Sequence, residues 1–331
     1  MDQVIVVTGA SAGLGRAVTR EIARRGARVG LLARGEQRLE TTLEEVRELG
    51  SDGVAIPTDV ADPDAVERAA VRVEEALGPI DVWINNAMVT VLSRLIDLTP
   101  DELRRVTEVD YLGSVWGTQA ALRRMMPRDR GQIIQIGSAL AYRGIPLQAA
   151  YCGAKHAMRG LTDSLRAELR HARSSVHVTM LQMPAMNTPQ FSWGRTRMEH
   201  HPQPVPPIFQ PEVAARAVAD AIGSRRREIY VGLPTWKTVF GSKVVPGVAD
   251  RVLAHEGFDG QQVPDRPFDP DRPDNLFEPV EGDWAAHGVF DEQAKSRSIQ
   301  ARITRWWTAL RRAIGRLFGH EPPTPALKSG S

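Results

Sequence analysis

Over the first 235 positions, apolar residues follow two alternating rhythms. Short runs rich in β-branched residues, at Val4–Val7, Arg28–Leu32, Gly53–Ile56, Ile80–Ile84, Gln132–Ile136, His177–Gln182 and Glu228–Val231, read as strands. Longer stretches with helical period separate them. This alternation predicts βαβ units and a parallel sheet. Runs such as VIVV and QIIQI are apolar on both faces, as a sheet covered by helices on both sides requires. The expectation is one α/β domain over residues 1–235, a doubly wound parallel sheet of about seven strands.

The rhythm fades after about residue 235. Residues 236–300, with stretches such as VPDRPFDPDRPDNLFEP, are rich in Pro, Gly and Asp and predict an irregular extension. Residues 301–318 differ again. There Ile303, Trp306, Trp307, Leu310, Ile314, Leu317 and Phe318 recur at three- and four-residue steps, with Arg302, Arg305, Arg311, Arg312 and Arg316 mostly between them. This predicts a basic amphipathic helix, followed by a disordered tail over 319–331. Peripheral contact with an anionic membrane surface suits its Trp and Arg content. Docking on its own domain or on a second subunit suits it equally.

Composition narrows the classes. A net charge of +2 over 331 residues argues against nucleic acid as a partner of the whole chain. The single cysteine, Cys152, forms no internal disulfide and fits a reducing compartment; it reads as a small packed residue. The N-terminus, MDQVIVVTGASAG, lacks the basic start and long apolar stretch of a signal peptide, and no apolar run approaches a membrane span. These features point to a cytoplasmic protein, with membrane association through the terminal helix as the open alternative. The 8 histidines show no metal-ligand spacing, so no metal is expected.

Chemistry enters at the end of the first strand, which runs into Thr8-Gly9-Ala10-Ser11-Ala12-Gly13-Leu14-Gly15 and then a helical pattern. Glycines between a strand and a helix let the backbone approach a pyrophosphate, which the free N–H groups and the helix dipole stabilise. The end of the second strand selects the dinucleotide. An acidic residue there would favour NAD(H); the chain has Leu31-Leu32-Ala33-Arg34-Gly35, so NADP(H) is preferred over NAD(H). Arg34, aided by Ser11 and Arg38, would pair with the 2′-phosphate.

Further along stand Asp59-Val60, Asn85-Asn86-Ala87, Ser138, Tyr151-x-x-x-Lys155 thirteen residues later, and Pro184 with Thr188. With the glycine loop, this set resembles the short-chain dehydrogenase/reductase family over about residues 3–232. The resemblance implies a Rossmann-type domain, with Asp59 and Val60 near the adenine, Asn86 and Ala87 lining the cofactor cleft, and Thr188 near the nicotinamide amide. It also implies hydride transfer between the cofactor and a carbonyl or secondary alcohol. Tyr151 would be the acid/base, Lys155 its activator and a cofactor ligand, and Ser138 the substrate-positioning hydroxyl. Residues i and i+4 share a helix face, so Tyr151 and Lys155 can meet, and an ammonium lowers a phenol pKa from its usual value of about 10. The family commonly assembles as homo-oligomers; the extension could cover or replace such an interface.

Three positions depart from the family pattern. Met88 and Ala185 replace glycines, and Asp110, in TEVDYLGS, occupies the place of the catalytic Asn. A carboxylate there disfavours tyrosinate and predicts a raised Tyr151 pKa, whereas an inert isostere predicts none. The segment from Met183 to Phe209, with Met186, Phe191 and Trp193, suits a lid over a small apolar carbonyl or alcohol, or simply packs the loop down. A non-catalytic dinucleotide-binding protein acting through its terminal helix is the competing reading.

Overall fold

The computed structural model describes residues 2–244, 246–269, 271–282 and 284–297; the segments 301–318 and 319–331 lie outside the described residues. The chain begins with β1 (Val4–Thr8), α1 (Gly13–Arg24), β2 (Arg28–Ala33), α2 (Glu36–Glu48), β3 (Gly53–Pro57), α3 (Pro63–Leu77) and β4 (Ile80–Asn85). It continues through β5 (Val91–Leu92), α4 (Pro100–Val106), α5 (Gly113–Met125), β6 (Gln132–Ser138), α6 (Ala149–His171) and β7 (His177–Met183). Then come α7 (Gln190–Trp193), β8 (Arg195–Thr196), β9 (His200–Pro202), α8 (Pro211–Ala221) and β10 (Glu228–Tyr230). The extension holds α9 (Leu233–Val244), α10 (Pro246–Glu256) and β11 (Gln262–Pro267).

Seven strands form one sheet in the order β10-β7-β6-β4-β1-β2-β3, and every pairing in it is parallel. Alternate residues of β1 feed opposite layers. Ile5 and Val7 pack with Leu14, Val18 and Ile22 of α1 and with α2 and α8. Val4 and Val6 pack with α3, α5 and α6. This two-sided burial is why the strands read as continuous apolar runs, each fully buried large side chain being worth roughly 1.5–3 kcal/mol. Polar exceptions pair in part: Gln135 donates to Thr118 Oγ1 at 2.9 Å and Gln132 to Thr179 Oγ1 at 3.1 Å, while Gln135 Oε1 and Gln182 Oε1 have no partner among the described residues. Helix starts follow local chemistry as well. Asp62 accepts from the Asp64 and Ala65 N–H groups ahead of α3, and Thr99 with Glu102 forms a capping box on α4.

The extension is only partly irregular. Residues 233–256 are helical except at the undescribed residue 245, and β11 pairs antiparallel with β9. Pro246 is the first residue of α10, where a missing N–H costs nothing, so a proline-rich composition did not preclude a helix there. Beyond β11 the described chain is irregular, apart from a β-bridge between Lys295 and Phe209, as it crosses back over the C-terminal edge of the sheet.

Candidate active site

In an open parallel sheet, ligands bind beyond the carboxyl ends of the strands, where the strand order reverses. Here that point lies between β1 and β4. The loop after β1 requires glycine: Gly9 has φ +67°, and a Cβ on Gly15 would sit 1.9 Å from the Gly9 carbonyl oxygen. The loop after β4 is tied to it, because Thr8 Oγ1 accepts from the N–H groups of Asn86 at 2.9 Å and Ala87 at 3.1 Å. Asn86 Nδ2 returns a bond to the Thr8 carbonyl at 2.9 Å. Asn86 thus holds two loops together, and Thr8, which heads the glycine-loop motif but carried no expected role, is its partner.

A cavity of about 870 Å³ opens along this edge. Gly9, Ser11, Gly13, Leu14, Gly15, Arg34, Asp59, Val60, Asn86 and Ala87 line it, as do Ser138, Tyr151, Lys155 and Thr188. All the sequence-derived residues except Asp110 therefore share one space. Ser138 ends β6, and its Oγ accepts from the Leu140 N–H at 3.1 Å. One helical turn along α6, Lys155 Nζ lies 5.5 Å from the centre of the Tyr151 ring and donates to the Ile136 carbonyl at 3.0 Å. Cys152, between them, is a buried packing residue whose thiol pKa burial pushes up.

Asp110 lies behind the cavity wall in a π-helical turn over Thr107–Leu112. It is fully buried; Oδ1 accepts from the Val89 N–H at 2.8 Å, while Oδ2 has no hydrogen-bond partner. Burial raises its pKa to about 7 against the opposing pull of Lys155. Burial is also the main cause that holds the Tyr151 phenol above its usual range; the Asp110 charge adds to this and the neighbouring Ser138 hydroxyl acts the other way. Lys155 is lowered by burial and partly restored by Asp110.

At the other end, Asp59 is engaged: Oδ1 accepts from the Ala61 N–H at 3.0 Å and Oδ2 from Arg105 at 2.6 Å. Arg105 was not singled out in the sequence, where one arginine among many gives no signal. Arg34 lines the cavity, and its guanidinium donates to main-chain carbonyls of the extension, Asn275 at 2.5 Å and Phe277 at 2.6 Å. Burial and the nearby Arg105 both work against its charge. Met183, Met186, Phe191 and Trp193 line the apolar side, whereas Phe209 is buried, with its ring against Gly232, away from the cavity. Among the described residues no helix is long and apolar enough to cross a membrane.

A family model described as short chain dehydrogenase matches residues 3–197. An uncharacterized oxidoreductase, YxnA, of Bacillus subtilis is 31% identical over 311 residues, covering 92% of this chain and 85% of its own. Dehydrogenase/reductase SDR family member 7B of Bos taurus is 30% identical over 267 residues, covering 76% of this chain and 81% of its own. Among solved structures, an alcohol dehydrogenase from Thermococcus sibiricus complexed with 5-hydroxy-NADP superposes with a TM-score of 0.61 at 27% identity, covering 70% of this chain and 96% of that one. With the sheet order and the shared cleft, these matches show that the chain belongs to the short-chain dehydrogenase/reductase family of oxidoreductase enzymes.

Proposed function

We propose that the protein is an NADP(H)-dependent oxidoreductase that interconverts an apolar ketone or aldehyde and its alcohol. The observation that carries this reading is that Ser138, Tyr151 and Lys155 open onto the same cavity as the glycine loop. The loop fits a pyrophosphate: it leads into the first turn of α1, whose N-cap Ala12 offers no side-chain acceptor to the N–H groups there. The nicotinamide supplies or receives the hydride. Everything else falls to the chain. Ser138 donates to the substrate oxygen and fixes its position. The Tyr151 phenol gives its proton to that oxygen as negative charge develops there, which trades an alkoxide for a less basic phenolate. The Lys155 ammonium, held by the Ile136 carbonyl, stabilises the phenolate so formed.

Preference for NADP(H) rests on Arg34 just after β2 and Arg38 in α2, with Ser11, all on the cavity wall. The negative charge of a 2′-phosphate would offset the burial and the Arg105 repulsion that act against the Arg34 charge. Met183, Met186, Phe191 and Trp193 with Val252 and Leu253 make the substrate side apolar, which favours a small apolar carbonyl or alcohol. The test is a screen of ketones and aldehydes for oxidation of NADPH by the purified protein. Turnover lost in Tyr151→Phe supports the assignment. Cofactor binding without turnover of any carbonyl, restored by Asp110→Asn, would instead mean that Asp110 has turned the site into a binding module.

A further inference from the structure

The extension does more than cover the sheet edge. Residues 272–282 and 284–291 cross the dinucleotide end of the cavity, and two residues anchor them. Leu276 is fully buried in the layer of Val60, Val66 and Val106, and Ala286 in the layer of Leu14 and Val18. Around these anchors the strap offers main-chain carbonyls, and the partners it meets include those expected to hold a dinucleotide. Arg34 donates to the carbonyls of Asn275 and Phe277, Arg38 to that of Val280, and Arg105 to that of Leu276 at 3.0 Å. The Gly13 N–H of the phosphate loop donates to the Ala285 carbonyl at 3.2 Å.

The strap walls the space rather than filling it. The cavity persists beneath, with Leu14, Gly15 and Arg34 on one side and Asn275 and Pro279 of the strap on the other. Leu14 and Gly15 begin α1, where N–H groups have no carbonyl of the preceding turn to reach, so they remain available to a phosphate. Two side-chain atoms at this seam have unmet hydrogen-bonding capacity. The Asn275 Oδ1 acceptor and the Trp193 Nε1 donor are buried without a partner, and both residues line the cavity. The Asn275 N–H donates to the Trp193 carbonyl at 3.0 Å, which sets the two side by side. A buried donor and acceptor left unmet are costly unless a ligand completes them.

We infer that the described residues 272–282 and 284–291 form the outer wall of the dinucleotide site, that Asn275 is a cofactor-contacting residue, and that the cofactor is released by opening this strap. The inference rests on the proposed dinucleotide-dependent function. It assigns the extension a role in how tightly and how long the cofactor is held, with Leu276 as the positioning residue that keeps the strap closed.

The test uses full-length protein, with NADPH and NADH binding followed by fluorescence and NADPH release followed by stopped-flow chase. Asn275→Ala is expected to weaken both dinucleotides about five- to tenfold through loss of one hydrogen bond. Asn275→Asp keeps an acceptor oxygen and is expected to restore NADH binding while NADPH stays weak, a split that a merely structural role would not produce. Leu276→Ala, outside the cavity lining, is expected to accelerate NADPH release by about tenfold or more. If wild type binds NADPH and the folded Asn275→Ala and Leu276→Ala variants bind and release it as wild type does, the strap is not part of the site. If wild type binds neither dinucleotide, the proposed function falls and takes this inference with it.

Discussion

One extension meets the two ends of the same cavity in different ways. At the dinucleotide end the strap is anchored by side chains with no exposed surface, Leu276 and Ala286, and by hydrogen bonds from Arg34, Arg38, Arg105 and Gly13. At the substrate end, α9 and α10 border the same cavity as Ser138 and Tyr151, and of their described residues only Thr235 and Val239 are buried. Thr238, Val248, Val252 and Leu253 line the cavity, while Leu233, Trp236, Phe240 and Val244 remain exposed and α10 fully buries no residue. Few buried contacts mean a low cost of local opening. Under the proposed function, the strap end would hold the cofactor closely and the α9–α10 end would admit and exchange apolar molecules.

Mutations that respect or cross this divide should sharpen it. The largest effect is expected in the chemistry between the two ends: Tyr151→Phe should lower kcat by about 10³-fold while NADPH affinity changes less than about twofold. Steady-state turnover set beside a binding titration measures both. Next comes Arg34→Asp, which should weaken NADPH by about 10–100-fold and NADH far less, because one change removes a cation and adds a repelling charge. An unchanged ratio of the two affinities would remove Arg34 from the 2′-phosphate site.

Asp110→Asn should act on pH rather than on either end. Removing the carboxylate deletes the second cause that raises Tyr151, so the rise of alcohol oxidation with pH, which needs the tyrosinate as base, should move down by about one pH unit. Stability should respond as well. Asp110 has a folded pKa of about 7 against its ordinary value of 3.8, so the native state holds a proton more tightly. Its contribution is therefore full at low pH and is lost as pH rises from 3.8 towards 7. Asp110→Asn should raise the melting temperature more at pH 8 than at pH 5; equal shifts at both would contradict the buried, proton-holding carboxyl. The smallest effect is expected at the loose end. Trp236→Ser with Phe240→Ser should change KM for apolar carbonyls by about fivefold or less and leave NADPH affinity alone.

What could be read from the chain alone follows the same divide. All seven strands lie within two residues of their expected limits, because burial on both faces writes itself into runs such as VIVV and QIIQI. The glycine loop and the Tyr151–Lys155 pair were legible because local spacing fixes their geometry. The strap was not. Its contacts are made by main-chain carbonyls, and Arg34 reaches residues 241 and 243 positions away, so side-chain identity carries no trace of them. Composition misled in the extension, where Pro246 starts a helix instead of breaking one. The Arg105 link to Asp59 likewise needed the fold to bring α4 beside the loop after β3.

The most direct measurement is a fluorescence titration of the full-length protein with NADPH and with NADH. The cleft described here predicts saturable binding of both, with NADPH tighter by about tenfold or more from charge-assisted pairing at Arg34. No binding of either dinucleotide would contradict it, because the glycine loop, the arginines and the Tyr151–Lys155 pair would then share a cavity that holds no cofactor.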